Sequence, residues 1–116
     1  MELKKVTHEQ LKNKLDNKED FLLINVLSKA SFESARIPGS RHADVHEDDF
    51  LEKVEELTRG DKSKEIVVYC TSSTCQASPS AARKLVEADY KNVSHFEGGI
   101  IGWKEAGYEL EGNMVN

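Results

Sequence analysis

A chain of 116 residues, 38% hydrophobic and 32% charged, has the size and make-up of one soluble domain spanning residues 1–116, and wholesale disorder is excluded. A net charge of −5 argues against nucleic-acid binding or an anionic membrane as the main task. No stretch approaches the roughly 18 apolar residues of a membrane span.

Taken in order, the elements alternate. "VTHEQLKNKL" opens a helix with a capping box, Thr7 as N-cap and Gln10 three residues later, and Val6 and Leu11 can staple it. "FLLINVL", Phe21 to Leu27, is a continuous apolar run of strand length, as in a strand buried on both faces. Asn25 within it is expected to tie loops together at the strand end through its side chain. "SKASFESARIPGS" is a short helix stopped by Pro38 and Gly39. "HEDDFLEKVEELTRG" puts Phe50, Leu51, Val54 and Leu57 on one helical stripe that Gly60 ends.

"EIVVYC" is the second buried strand, and "SPSAARKLVEADY" a helix with Ser78 as N-cap and Pro79 at its first position. "NVSHFEGG" gives a further short strand, with His95 packed or half-exposed. Gly98 and Gly99 make a tight turn needing positive φ rather than a phosphate cradle. "IIGWKEAG" is a last short helix, closed onto the sheet by Trp103. Strands alternating with helices imply a parallel sheet covered on both faces.

The chemistry concentrates in "IVVYCTSSTCQASPSAARKL". In open parallel sheets ligands bind beyond the carboxyl ends of the strands. Cys70 ends a strand there, in front of a helix whose free N–H groups favour an anion, a thiolate or its substrate. A plain core cysteine is the competing account of Cys70. Cys75, five residues on, is either a resolving thiol or a small filler of a tight loop, and both stay open. His42 and His46 stand four apart, but no third and fourth ligand follows at zinc spacing, so no metal is expected. The start, "MELKKVTHEQ", has no apolar segment of the secretory kind, and the cytoplasm is the expected location. In a reducing cytosol two cysteines point to chemistry rather than to a disulfide framework.

Four stretches resemble the rhodanese-like domains. "VVYC" with its loop and helix is similar to the family's active-site element. "LLINV" is similar to its early strand, "SFESARIPGS" to its E-[FY]-x-x-x-H-I-P-G-A element, and "VSHFEGGIIGWKEAGYEL" to its closing element. The resemblance runs over essentially the whole chain. It implies a three-layer α/β/α fold with a five-stranded, mainly parallel sheet in the order 3-2-4-5-1. It implies that Cys70 carries a sulfane sulfur as a persulfide, with the backbone of Thr71, Ser72, Ser73, Thr74, Cys75 and Gln76 wrapped around it. This chain departs from the family in a longer loop, in Cys75 within it, in Asn25 for the usual Asp and in Leu27 for the usual Arg. No Lys or Arg occurs between Cys70 and Ala82; Arg36 and Arg41 of "RIPGSR" are the cations that could reach an anion from the neighbouring loop.

The expected function is a sulfurtransferase or persulfide carrier. It takes sulfur from a small-molecule donor such as thiosulfate or a persulfide and gives it to a thiol or an acceptor protein, with no metal or organic cofactor. A cysteine-dependent phosphatase or arsenate reductase is an alternative, but such sites grip the anion with Arg six residues after the cysteine, and Gln76 stands there. A dithiol redox protein using Cys70 and Cys75 lacks the C-x-x-C spacing. A non-catalytic binding module of the same fold is the last alternative.

Overall fold

The computed structural model describes residues 4–114. Ten elements follow in chain order: β1 (Lys4–Val6), α1 (His8–Asp16), β2 (Leu22–Asn25), α2 (Lys29–Ser34), β3 (Arg41–His42), α3 (Phe50–Thr58), β4 (Ile66–Tyr69), α4 (Ala77–Glu87), β5 (Val93–Phe96) and α5 (Gly99–Glu105). The strands form one sheet in the order β1-β5-β4-β2-β3, every pairing parallel. This is the expected order and the three-layer arrangement.

Side chains alternate across the strands and divide the core in two. Ile24, Val26, Ile66, Val68 and Cys70 meet Phe50 and Val54 of α3 and Ala81, Ala82 and Leu85 of α4. Leu23, Val67, Tyr69 and Phe96 meet Leu11 of α1 and Trp103 of α5 on the opposite face. Ala81 and Ala82 are fully buried, so α4 lies close against the sheet and its N-terminus is held over the end of β4. The Thr7 capping box is present in both directions. The Trp103 indole N–H donates to the Glu109 carbonyl at 2.8 Å, which fixes the ring as packing.

Two edge strands, β1 and β3, are absent from the pattern reading of the elements. They are three and two residues long, "KKV" and "RH", and carry no apolar run. Their pairing is set by the neighbours they meet, not by their own composition.

Asn25 is the expected tie. Its Oδ1 accepts from the Leu27 N–H at 2.9 Å and its Nδ2 donates to the Tyr69 hydroxyl at 3.2 Å. The same hydroxyl accepts from the Ile37 N–H at 3.0 Å and donates to Ser40 Oγ at 2.9 Å. Both Asn25 and Tyr69 are completely buried. Tyr69 therefore pins the loop before β3 to the carboxyl end of β4, one residue from Cys70. Tyr69→Phe strands two buried donors, each costing about 1–3 kcal/mol when unpaired. Urea unfolding should show a loss of about 2 kcal/mol or more, and a change under about 0.5 kcal/mol would mean that the network relaxes without the hydroxyl.

Candidate active site around Cys70

Cys70 follows β4 directly and is 1% exposed. The chain then turns through Thr71–Gln76 into α4. A hydrogen bond from the Cys75 N–H to the Ser72 carbonyl at 3.1 Å closes this turn, and Ser72 and Thr74 hydroxyls pair at 3.0 Å inside it. Thr71, Ser73, Thr74 and Gln76 are exposed, Ser72 and Cys75 half-buried. The turn brings the Cys75 carbonyl oxygen to 3.7 Å from Cys70 Sγ.

The helix start differs from the sequence expectation. α4 begins at Ala77 with Gln76 as its cap, so Ser78 is a first-turn residue and not the N-cap. Its buried side chain has different work: hydrogen bonding from the Ser78 hydroxyl and backbone favours the Cys70 thiolate, lowering its pKa against the effect of burial. Starting the helix early is what aims these groups, since the first N–H groups of a helix have no partner inside it. Ser78 is the site residue that sequence reasoning missed; "SP" before an alanine-rich run looks like a cap, and only the path of the loop shows otherwise.

Burial pushes the Cys70 thiol above the ordinary cysteine value, and its S–H bond to Cys75 adds to this, against the two Ser78 donors. Cys75 moves the other way. Burial raises it, but the Cys70 S–H and the N–H groups of Ala77 and Thr71 donate to its sulfur and together bring its pKa below the ordinary value. The two thiols titrate as a pair, with burial raising Cys70 and hydrogen bonding lowering Cys75. Both are free thiols.

The rear of the loop is tied to α5. The Ile100 N–H donates to the Cys70 carbonyl at 3.0 Å and the Ile101 N–H to the Thr71 carbonyl at 2.9 Å. Gly99, with φ +62°, lets the backbones approach: a Cβ there would sit 2.5 Å from the Cys70 oxygen. Positive φ holds for Gly99, while Gly98 is helical at φ −62°.

The two arginines are brought together away from this turn. Arg36 pairs with Glu111 at 3.2 Å, donates to the Phe32 carbonyl at 3.2 Å and stacks on the Phe32 ring. Arg41 is exposed and shares with Arg36 an open cleft lined also by Phe32, Ser40 and His42. His42 Nε2 lies 2.7 Å from the Leu27 carbonyl and His46 Nδ1 3.2 Å from Asp44, so the two rings engage separate partners. His95 is buried in β5 opposite Val68, and burial lowers its pKa. Among the described residues no three His, Cys, Asp or Glu side chains converge as a metal site would require.

Residues 7–106 match the family model described as a rhodanese-like domain. The Bacillus subtilis (strain 168) protein YtwF, provisionally named a sulfurtransferase, is 33% identical over 104 residues, covering 90% of this chain and 93% of that protein. A Coxiella burnetii protein named thiosulfate sulfurtransferase GlpE is 31% identical over 91 residues, 78% of each chain. The solution structure of the rhodanese-like domain of Anabaena protein Alr3790 superposes with a TM-score of 0.83 at 24% identity, over 98% of this chain and 82% of that one, and supports the fold.

Proposed function

Since the chain belongs to the rhodanese-like domain family, we propose that it is a sulfurtransferase whose Cys70 accepts a sulfane sulfur and hands it to a thiol. The observation that carries this is the placement of Cys70 at the carboxyl end of β4, in front of the first turn of α4, where the Ser78 hydroxyl and backbone favour its thiolate. The Cys70 thiolate attacks the outer sulfur of the donor. A sulfur–sulfur bond forms, the donor's own bond to that sulfur breaks, and its electron pair leaves with sulfite or with a thiolate. An acceptor thiolate then takes the outer sulfur and frees Cys70. Donors fixed before the reaction stabilise charge on sulfur as an oxyanion hole does on oxygen. The steps as written draw on no metal or organic cofactor. Intact-mass measurement after incubation with a persulfide donor tests the reading: one added sulfur atom, located on the Cys70 peptide, is the expected result, and an unchanged mass would remove it.

The donor preference follows from charge. Thiosulfate is a dianion, and a charge-assisted hydrogen bond is roughly twice as strong as a neutral one. The stretch Thr71–Gln76 holds no cation, and Arg36 is engaged by Glu111 and Phe32. One missing charge-assisted contact of about 1.5–3 kcal/mol corresponds to one to two powers of ten in rate. Steady-state kinetics should therefore give a persulfide donor about tenfold or more advantage in kcat/KM over thiosulfate. Parity would refute this, and its collapse on Arg41→Ala would identify the cation responsible.

A further inference from the structure

A carrier needs one sulfur, and this turn is built around two. The Cys70 Sγ donates to the Cys75 carbonyl at 3.7 Å, and hydrogen bonding from Cys70 and from the Ala77 and Thr71 backbone draws the Cys75 pKa down against its burial. Groups so placed favour the charged form of a thiol. The turn that folds Cys75 back is held by its own N–H on Ser72 and by the Ser72–Thr74 hydroxyl pair. Cys75 belongs to the same closed turn, half-open to solvent and with its carbonyl 3.7 Å from Cys70 Sγ, so it competes with any external thiol for the buried Cys70.

We propose that Cys75 resolves the sulfur-loaded form of Cys70: its thiolate attacks Cys70 Sγ, a Cys70–Cys75 disulfide forms, and the outer sulfur leaves as hydrosulfide. The inference rests on Cys70 as the sulfur carrier. In the step, the bond between Cys70 Sγ and the outer sulfur breaks and its electron pair goes to the outer sulfur. That sulfur is reduced by two electrons and leaves with one proton, and the two cysteine sulfurs are oxidised to the disulfide. An external thiol pair then reduces the disulfide and is itself oxidised to a disulfide, which resets the protein.

The site of attack follows from the leaving group. The better leaving sulfur is the conjugate base of the stronger acid. Attack on the outer sulfur would expel the Cys70 thiolate, whose thiol is a weaker acid than an ordinary cysteine because it is buried. Attack on Cys70 Sγ expels hydrosulfide, the anion of a stronger acid. The protein would thus convert sulfane sulfur to sulfide at the expense of a thiol reductant, besides passing it on intact.

The experiment is a single turnover without acceptor. Reduced protein is loaded anaerobically with glutathione persulfide, desalted, and followed by intact mass and by released sulfide. The wild-type protein should lose its added sulfur, release one sulfide per chain, and settle at two hydrogens below the reduced mass. Cys75→Ser and Cys75→Ala should each keep the added sulfur on Cys70 at least about tenfold longer, since the internal nucleophile is gone. Either variant suffices should the other fold poorly. Equal lifetimes in the wild-type protein and both variants, or sulfur recovered on Cys75 as its own persulfide, would overturn the proposal. Loading of the Cys75 variants reports on the carrier reading alone: if they load and the wild-type protein forms no disulfide, only the resolving step falls, and if none of the proteins loads, both fall.

Discussion

Replacing Cys70 by serine abolishes sulfur loading and lowers turnover by at least about three powers of ten, while the fold stands. The loss is large because covalent catalysis has no substitute once its nucleophile is gone. The fold survives because serine is smaller by little and its hydroxyl finds partners in place: the Cys75 carbonyl, 3.7 Å from the present sulfur, and the Ser78 groups. Stability should move by less than about 1 kcal/mol. Intact mass with a persulfide donor and a urea unfolding curve check the two halves. A Cys70→Ser protein that still gains one sulfur would transfer the carrier role to Cys75.

Gly99→Ala is the second large effect, and it acts at a distance from any reacting atom. Its φ of +62° costs a side chain about 1–2 kcal/mol. The new Cβ would also overlap the Cys70 oxygen at 2.5 Å, the Thr71 carbonyl carbon at 2.7 Å and the Ser72 nitrogen at 2.8 Å. These are backbone atoms of Cys70 and the turn after it, so relief means moving that turn. A destabilisation of about 2–5 kcal/mol is expected, together with loss of sulfur loading in whatever remains folded. Gly102→Ala is the control in the same helix. Its Cβ would meet only Phe96 Cζ at 3.8 Å, an ordinary contact, and the change should be neutral or stabilising by up to about 1 kcal/mol. Equal melting temperatures for the two variants would remove the case for close approach at Gly99.

The sequence disclosed what is local or strongly patterned. The capping box at Thr7, the buried strands around Leu23 and Val67, and the cysteine at a strand end are all carried by neighbours a few residues apart. Asn25 was legible as a tie because a polar residue inside an apolar run must find hydrogen bonds. Its partner was not, since the Tyr69 hydroxyl lies 44 residues away. The same limit hid the Arg36–Glu111 pair, 75 residues apart, which engages a cation that sequence alone left free to reach the turn. Edge strands of two or three residues leave no periodicity to detect. The place of Ser78 was invisible for a subtler reason: it depends on where the helix starts relative to the turn, and two residues of displacement change a cap into a first-turn residue beside Cys70.

The tie between α5 and the turn after Cys70 bears on the order in which the molecule assembles. Among the described residues β1 pairs with β5 alone, Lys4 opposite Ser94, and the Cys70 carbonyl waits for the Ile100 N–H. Both closures join early residues to late ones, and contacts so far apart in sequence are slow to form because the intervening chain must first be ordered. During synthesis, which runs from the N-terminus, the thiol at position 70 leaves the ribosome some thirty residues before the backbone donors that fix its carbonyl. A nascent chain therefore holds Cys70 before the Ile100 and Ile101 N–H groups that fix the backbone behind it have emerged.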